Sequence, residues 1–371
     1  MLIRRPVPLL VLAVVAALVA ACTGSGGSPN PSAASQGPSS GATSPSVSAG
    51  SATGSAAASG TPEGSIAPTK LVVGLGYIPS VQFAPFYLAD QAGYYSEAGL
   101  QVEFQNKVDP DLITLVGQGS IDIGIGDGTS VIPAVSQGIP IRYVATIYGK
   151  FPNVVFAKAS SGIKTAADLK GKKIGTPGRY GSSWIMLQAL LASAGLTTSD
   201  IQVVEYPDYT QRAAVEQGAV DAATGFSNNE PVQLEADGSP AVQLTIDSIT
   251  PLPGPGLIAG TATIGSKHDA ITAFIAATLR AMVEITANPS VGLDAAIKAV
   301  PELASQRDLQ SKILAATIDS WTGTTQAAHG LGAIDTAGWA TSVTFMQSLS
   351  LVPHPVTVDG LVRTDLLPPG E

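Results

Sequence analysis

Cysteine is almost absent from this 371-residue chain, and Cys22 is the only one. A lone cysteine excludes an internal disulfide framework, a cysteine-based zinc site and a protein-ligated iron–sulfur cluster. Histidine is nearly as scarce: His268, His329 and His354 are the only three, none at metal-ligand spacing from another. No metal and no cofactor is expected. Charged residues make up 13% of the chain and aromatics 5%, against about 25% charged in an average globular protein. Basic residues are also in the minority, with 19 Lys and Arg against 28 Asp and Glu and a net charge of −9. That balance offers no clustered basic surface for a nucleic acid. Beyond the N-terminus no apolar run approaches 18 residues, so the remainder reads as a soluble body.

The shortage of charge begins at the N-terminus. Arg4 and Arg5 precede an apolar run from Leu9 to Ala21. A basic start, an apolar stretch of about a dozen residues and a small-residue end form a secretory signal. It is too short to span a bilayer, which takes about 20 apolar residues. The Arg4-Arg5 pair lacks the polar surroundings of a twin-arginine signal. Val19-Ala20-Ala21-Cys22 resembles the lipobox of bacterial lipoproteins, which implies cleavage of residues 1–21 and acylation of Cys22. More than one acyl chain gives stable anchoring. After Cys22, from Thr23 to about Ile66, the chain is almost all Gly, Ser, Ala, Thr and Pro, with Glu63 as its only charge, and 22–66 forms one segment. Such a composition cannot offset the entropy of ordering, so a disordered tether is expected, reaching roughly 35–40 Å.

From residue 67 onward short apolar runs alternate with amphipathic segments. Strands are expected at Lys70–Gly76, Leu100–Gln105, Ile121–Gly126 and Arg142–Tyr148, with helices at Phe83–Ala98, Asp111–Gln118 and Thr129–Gln137. The alternation repeats from Val154 to Ile246, and the last third reads as helices near 267–287, 291–300, 304–321 and 335–348. Such alternation predicts parallel sheets covered by helices, an α/β fold. Two α/β units and a helical tail predict two lobes, one from 67–153 and 258–371 and the other from 154–257, with crossings near Pro152–Val155 and Pro255–Gly260. The tail is expected to return onto the first lobe.

Six phrases occur in order over roughly residues 67–260. They are Phe83-Ala-Pro85-Phe86-Tyr87-Leu-Ala89 with Gly93-Tyr94-Tyr95-Ser-Glu97-Ala-Gly99-Leu100, then Gly119-Ser-Ile-Asp122-Ile-Gly124 and Gly138-Ile-Pro140-Ile. Asp168-Leu-Lys170-Gly171-Lys172 and Gln217-Gly218-Ala-Val-Asp221-Ala complete the set. Together they resemble the SsuA/THI5-like substrate-binding proteins of ABC transporters. The resemblance implies a type II periplasmic-binding-protein fold whose ligand lies between the lobes. It also implies an ABC permease as partner and attachment to the extracytoplasmic face of the cell membrane, with a monomer as the working state. Read bottom-up, the same phrases are structural: Gly99 and Gly195 stop helices, and Asp122 is placed to accept from backbone donors.

Ligand contacts are expected where strands end and helices begin. The loop after the first strand offers Tyr77 and Phe83 as an apolar wall, and Asp127 and Thr129 open the helix after Ile121–Gly126. Asp127 and Ser182 are also natural helix caps. The Gly124-x-Gly126-x-Gly128 run is misspaced for a dinucleotide fingerprint. Arg179, Tyr180 and Ser182 precede another helix, and Tyr209 precedes the next. Phe226-Ser-Asn228-Asn229-Glu230-Pro231 follows an apolar strand, and Asn228 and Glu230 supply the donors and acceptors that a nitrogen heterocycle needs. That segment resembles thiamine-pyrimidine and riboflavin binders of the family more than sulfonate or nitrate binders. Residues that carry catalysis are not expected: no G-x-S-x-G elbow occurs, and the family's pyrimidine-forming enzymes use a Cys-rich segment and iron. The leading expectation is therefore capture of a small nitrogen heterocycle for an importer. Capture of a sulfonate, taurine or nitrate is the alternative, with an enzyme or a sensor on the same fold as the third reading.

Overall fold

The computed structural model describes residues 67–107, 111–247 and 249–368. The signal, the Cys22 anchor and the tether expected from the sequence lie outside the described residues.

The chain first lays down β1 (Thr69–Leu75), α1 (Ala84–Gln91), α2 (Tyr94–Glu97), β2 (Leu100–Asn106) and α3 (Asp111–Gly117). Next come β3 (Ile123–Asp127), α4 (Gly128–Ser136) and β4 (Ile141–Thr146). It then passes to a second unit: β5 (Asn153–Lys158), β6 (Lys173–Thr176), α5 (Gly181–Ser193), β7 (Gln202–Glu205) and α6 (Gln211–Glu216), followed by β8 (Ala222–Phe226), α7 (Glu230–Ala236) and β9 (Ala241–Leu244). A return passage leads to β10 (Pro255–Gly260) and the helices α8 (Thr261–Ala287), α9 (Pro289–Ala299), α10 (Arg307–Trp321), α11 (Thr324–His329) and α12 (Thr336–Ser348).

Two five-stranded sheets result, ordered β2-β1-β3-β10-β4 and β7-β6-β8-β5-β9. They are mixed rather than parallel. β10 runs antiparallel to both β3 and β4, and β5 runs antiparallel to both β8 and β9. The reason lies in the passages: each sheet takes in a strand that arrives directly from the other sheet, without a helical crossover to reverse it.

Each sheet is buried on both faces. Leu257 and Ala259 of β10 face α1, α8 and α9, while Ile258 faces α3, α4 and α12. In the second sheet Val155 and Ala157 join the α5 side, whereas Val154 and Phe156 join the α6 and α7 side. Two-sided burial explains why these strands read as continuous apolar runs, and it accounts for part of the low charge.

The two units repeat one device. Asp122 Oδ2 accepts from the Val72 N–H at 2.9 Å, and Asp221 Oδ2 accepts from the Lys173 N–H at 2.8 Å. In each unit an aspartate entering one strand clamps its parallel neighbour: Asp122 before β3 holds β1, and Asp221 before β8 holds β6. Lys267 adds a 2.8 Å ion pair to Asp122.

Three local readings differ from expectation. The single helix at 83–98 is divided, because Gly93 takes φ +83° and ends α1 before α2 begins. The helix expected from 304 starts at Arg307, after a 3-10 segment at Pro301–Gln306. α8 is 27 residues long with mean hydropathy 1.5 in its most apolar stretch, enough to cross a membrane by length and composition. Half of that stretch is buried, and Phe274, Ile275 and Met282 lie in the core under the first sheet. It kinks at Lys267, whose φ of −129° separates the first turns from the rest.

The tail packs on the first lobe. Tyr143 N donates to Leu361 O and Arg363 N donates to Tyr143 O, so the last segment covers the free edge of β4.

Candidate functional site

The ends of β1, β3, β6 and β8 converge on a cavity of about 130 Å³ between the two sheets. Its walls come from the loop after β1, the end of β3, the Pro177–Ser183 turn, the entry to α6 and the segment joining β8 to α7. Ligands of open α/β sheets bind in this position.

Of the residues expected from the sequence, Tyr77, Phe83, Asp127, Tyr180, Ser182, Tyr209 and Glu230 line the cavity. Tyr77 and Tyr209, one from each lobe, meet edge to face with ring centroids 5.0 Å apart. Tyr209 holds a left-handed backbone, φ +60°, to present its ring there. Tyr180 stands at the mouth, 39% exposed, and Phe83 is buried in the wall. Burial, and then the nearby Glu230 carboxyl, push the Tyr77 phenol up.

Neither Ser182 nor Asp127 caps its helix through its side chain. Asp127 stands at the first-turn cap of α4 without a side-chain capping bond, and the cap of α5 is Tyr180. Instead Ser182 Oγ donates to Asp127 Oδ2 at 2.5 Å, joining the start of α5 to the end of β3. Ser183 Oγ donates to Asn153 Oδ1 at 3.0 Å on the same side.

Glu230 folds back on its own strand, where its Oε2 accepts from the Phe226 N–H at 2.8 Å. Only glycine fits at 225, since a Cβ there would stand 2.8 Å from that oxygen and 2.9 Å from the Phe156 ring. Burial pushes the Glu230 carboxyl up, opposed by the Phe226 amide and by Asn229.

Three expected residues lie outside the lining. Thr129 is fully buried behind Asp127 in α4. Arg179 turns away to pair with Glu205 at 2.9 Å and to lie over the Trp184 ring. Asn228 is 1% exposed, and its amide nitrogen is taken up in a network that links the lobes. Its Nδ2 donates to Gln82 Oε1 at 3.0 Å and to Thr317 Oγ1 at 2.8 Å, with the Tyr148 hydroxyl 3.4 Å away. Asn229, not Asn228, is the cap residue of α7.

Gln82, Tyr148, Gln211, Phe226 and Asn229 line the cavity without having been singled out in the sequence. Asn229 lies between Asn228 and Glu230, and Gln211 stands two positions after Tyr209, so loop position alone carries a weak signal for them. Tyr148 carries none, because it ends an apolar strand run and reads as core.

The lining has two carboxylates, Asp127 and Glu230, four tyrosines and two phenylalanines, and among the described residues it has no Lys, Arg or His. Among the described residues, no group of three His, Cys, Asp or Glu side chains gathers to hold a metal ion. The arrangement offers π faces and hydrogen-bond acceptors and gives an anion no counter-charge.

Comparison with known proteins agrees with this architecture. A family model described as NMT1/THI5 like matches residues 80–291. The riboflavin-binding protein RibY of Chloroflexus aurantiacus is 32% identical over 305 residues, 81% of this chain and 87% of that protein. A 4-amino-5-hydroxymethyl-2-methylpyrimidine phosphate synthase of Legionella pneumophila is 25% identical over 67% of this chain and 79% of its own length. The solved alkanesulfonate-binding protein SsuA of Xanthomonas axonopodis pv. citri, bound to MOPS, aligns with a TM-score of 0.63 at 21% identity. The alignment covers 81% of this chain and 99% of that one. The fold is that of the periplasmic binding proteins.

Proposed function

This chain belongs to the NMT1/THI5-like family, and from that premise we propose that it captures a small, flat nitrogen heterocycle of the riboflavin or thiamine-pyrimidine kind for an ABC importer. One observation carries the reading: the inter-lobe cavity is lined by aromatic rings and two carboxylates and by no cationic side chain among the described residues. A sulfonate or nitrate site needs cations or convergent N–H donors to replace the anion's hydration. Here Arg179 and Arg212, each next in sequence to a lining residue, are paired with Glu205 and with Glu216 and Asp237, and nearby Lys150 is paired with Asp319. The similarity to a riboflavin-binding protein points the same way.

The mechanism we propose is hinge closure. Two passages, between Thr146 and Asn153 and between Leu244 and Pro255, join the units that act as lobes. A ligand touching both walls binds the closed form more tightly and shifts the population toward it. No bond is made or broken. The synthase relatives are the rival reading; the absence of any cysteine after Cys22 speaks against the Cys-rich chemistry expected for such enzymes. Cys22 is the proposed lipid anchor, residues 1–21 the signal and 22–66 the tether holding a monomer near its permease on the extracytoplasmic face.

Thermal denaturation and calorimetric titration of the purified body with riboflavin, a thiamine pyrimidine, taurine and nitrate test this reading. A ligand bound only by the native state raises Tm, by about 2.7 kcal/mol of added stability at a hundred times its Kd. The heterocycles should do so and the anions should not. Stabilisation by taurine or nitrate alone would sink the proposal.

A further inference from the structure

Gln211 is the first residue of α6, 1% exposed, and it lines the cavity. Its stem packs against β6, where Gly175 leaves room for it. Its amide Nε2 donates to the Thr224 carbonyl of β8 at 3.4 Å, and its Oε1 meets no partner among the described residues. The Thr224 carbonyl decides which amide atom is which: an acceptor can be approached only by the nitrogen, so the oxygen is the atom left without a partner in a residue that lines the cavity. A buried amide oxygen without a partner is disfavoured relative to one that accepts a hydrogen bond. No capping, strand or lobe-linking contact accounts for this one.

We propose that Gln211 is a specificity-determining residue of the site, and that its Oε1 accepts a hydrogen bond from a ring or exocyclic N–H of the ligand. The inference rests on the heterocycle reading of the cavity and narrows it: the ligand presents an N–H donor toward α6, at the end of the cleft where Tyr77 and Tyr209 meet. Glu230 and Asp127 on the neighbouring walls are acceptors when ionised, so the cavity as a whole selects a donor-rich edge. A site that hydrogen-bonds a ligand N–H discriminates against the analogue that lacks it, because the protein acceptor is then left buried and unpaired.

The test compares riboflavin with its ring-N-methylated derivative, and a thiamine pyrimidine with its N-methylated amino derivative, by calorimetric titration. The full chain is used as wild type, Gln211→Leu and Gln211→Glu. The wild type should prefer at least one N–H parent over its methylated form by about tenfold or more. Gln211→Leu should lose about tenfold for that parent and lose the preference, while Gln211→Glu, which retains an acceptor, should keep it. Circular dichroism and the Tm of each unliganded variant show that the fold is intact. If Gln211→Leu folds and discriminates as the wild type does, Gln211 does not read the ligand, although the heterocycle reading stands. If the wild type binds neither parent, the heterocycle reading itself fails and this inference with it.

Discussion

Ser182 Oγ lies 2.5 Å from Asp127 Oδ2, and the two residues come from opposite lobes. Ser182 opens α5 beside the second sheet, and Asp127 ends β3 in the first. The bond spans the cleft wall, so it exists only when the lobes are together. A hydroxyl bonded to a charged acceptor contributes about 1.5–3 kcal/mol. Ser182→Ala should therefore weaken ligand binding by roughly 10- to 150-fold through loss of the closed form, while barely changing the urea midpoint of the unliganded protein. Small-angle scattering with saturating ligand should show the variant reaching the same compact form at higher ligand concentration.

Asn228 makes a second link, and here the donor is what matters. Thr317 spends its own hydroxyl proton on Ile313 O, and Gln82 spends its amide nitrogen on Ser80. Both therefore present only acceptors to Asn228 Nδ2. Asn228→Asp puts a carboxylate against those two acceptors in a buried place, with the Tyr148 hydroxyl, 3.4 Å away, as the one neighbour of this network able to donate to it. It should cost about 1–3 kcal/mol of stability or more, read from urea unfolding at pH 7, and the loss should shrink at acid pH as the new carboxyl is protonated.

How much of this was legible in the sequence depends on the range of the interaction concerned. Strand–helix alternation is a local signal, and the Gly119–Asp122 and Gln217–Asp221 phrases mark the entries to β3 and β8, with Asp122 and Asp221 accepting from backbone donors. The antiparallel sense of β5 and β10 was hidden, because strand direction follows from where the chain re-enters a sheet and not from its residues. Aromatic and hydroxyl residues at loop positions reached the cavity, as Tyr77, Tyr180, Tyr209 and Ser182 show. Polar residues did less well: Arg179 is taken by Glu205, and Asn228 by partners 146, 89 and 80 positions away in the chain. A side chain's partner decides whether it faces a ligand, and such distant partners leave no periodic trace.

Glu230 gives the site a pH dependence. Burial raises its carboxyl in the folded protein above the ordinary value of 4.5, while the unfolded chain keeps that value. The native state then holds the proton more tightly. The stability it contributes is full below the ordinary value and is lost as pH rises through the raised one. Glu230→Gln keeps an acceptor for the Phe226 N–H and removes the titration. Across pH 4 to about 8, urea midpoints of this variant should lack the decline that the wild type shows with rising pH. Parallel curves would assign the wild-type slope to other groups.

Asp365 works in the opposite sense. The forked hydrogen bonds from Arg363, at 2.6 Å each, lower its carboxyl from 3.8 to about 2. A depressed native value gives stability that is present above the ordinary value and lost as pH falls through the depressed one. The pair lies at the surface, where screening keeps its contribution small. Carbon-detected NMR titration should show Asp365 returning toward the ordinary range in Arg363→Ala, with only a slight change in Tm at pH 7.

The first passage between the lobes carries a steric condition. Gly149 and Gly323 stand face to face: a Cβ on Gly149 would lie 2.4 Å from the Gly323 nitrogen, and one on Gly323 would lie 2.2 Å from the Gly149 carbonyl oxygen. Gln326 closes the third side, its Oε1 accepting from the Gly323 N–H at 3.2 Å while its Nε2 donates to Ala333 O at 2.7 Å. Backbone, unlike a flexible side chain, cannot swing aside, so Gly149→Ala must push the α10–α11 turn away from the passage. Overpacking of this kind costs about 1–3 kcal/mol, and the strain falls on a segment that the proposed hinge closure would rotate. The variant should lose stability in urea and also bind ligand more weakly than that loss alone would require. A variant that is destabilised yet keeps wild-type affinity would place the hinge motion in the other passage, between Leu244 and Pro255.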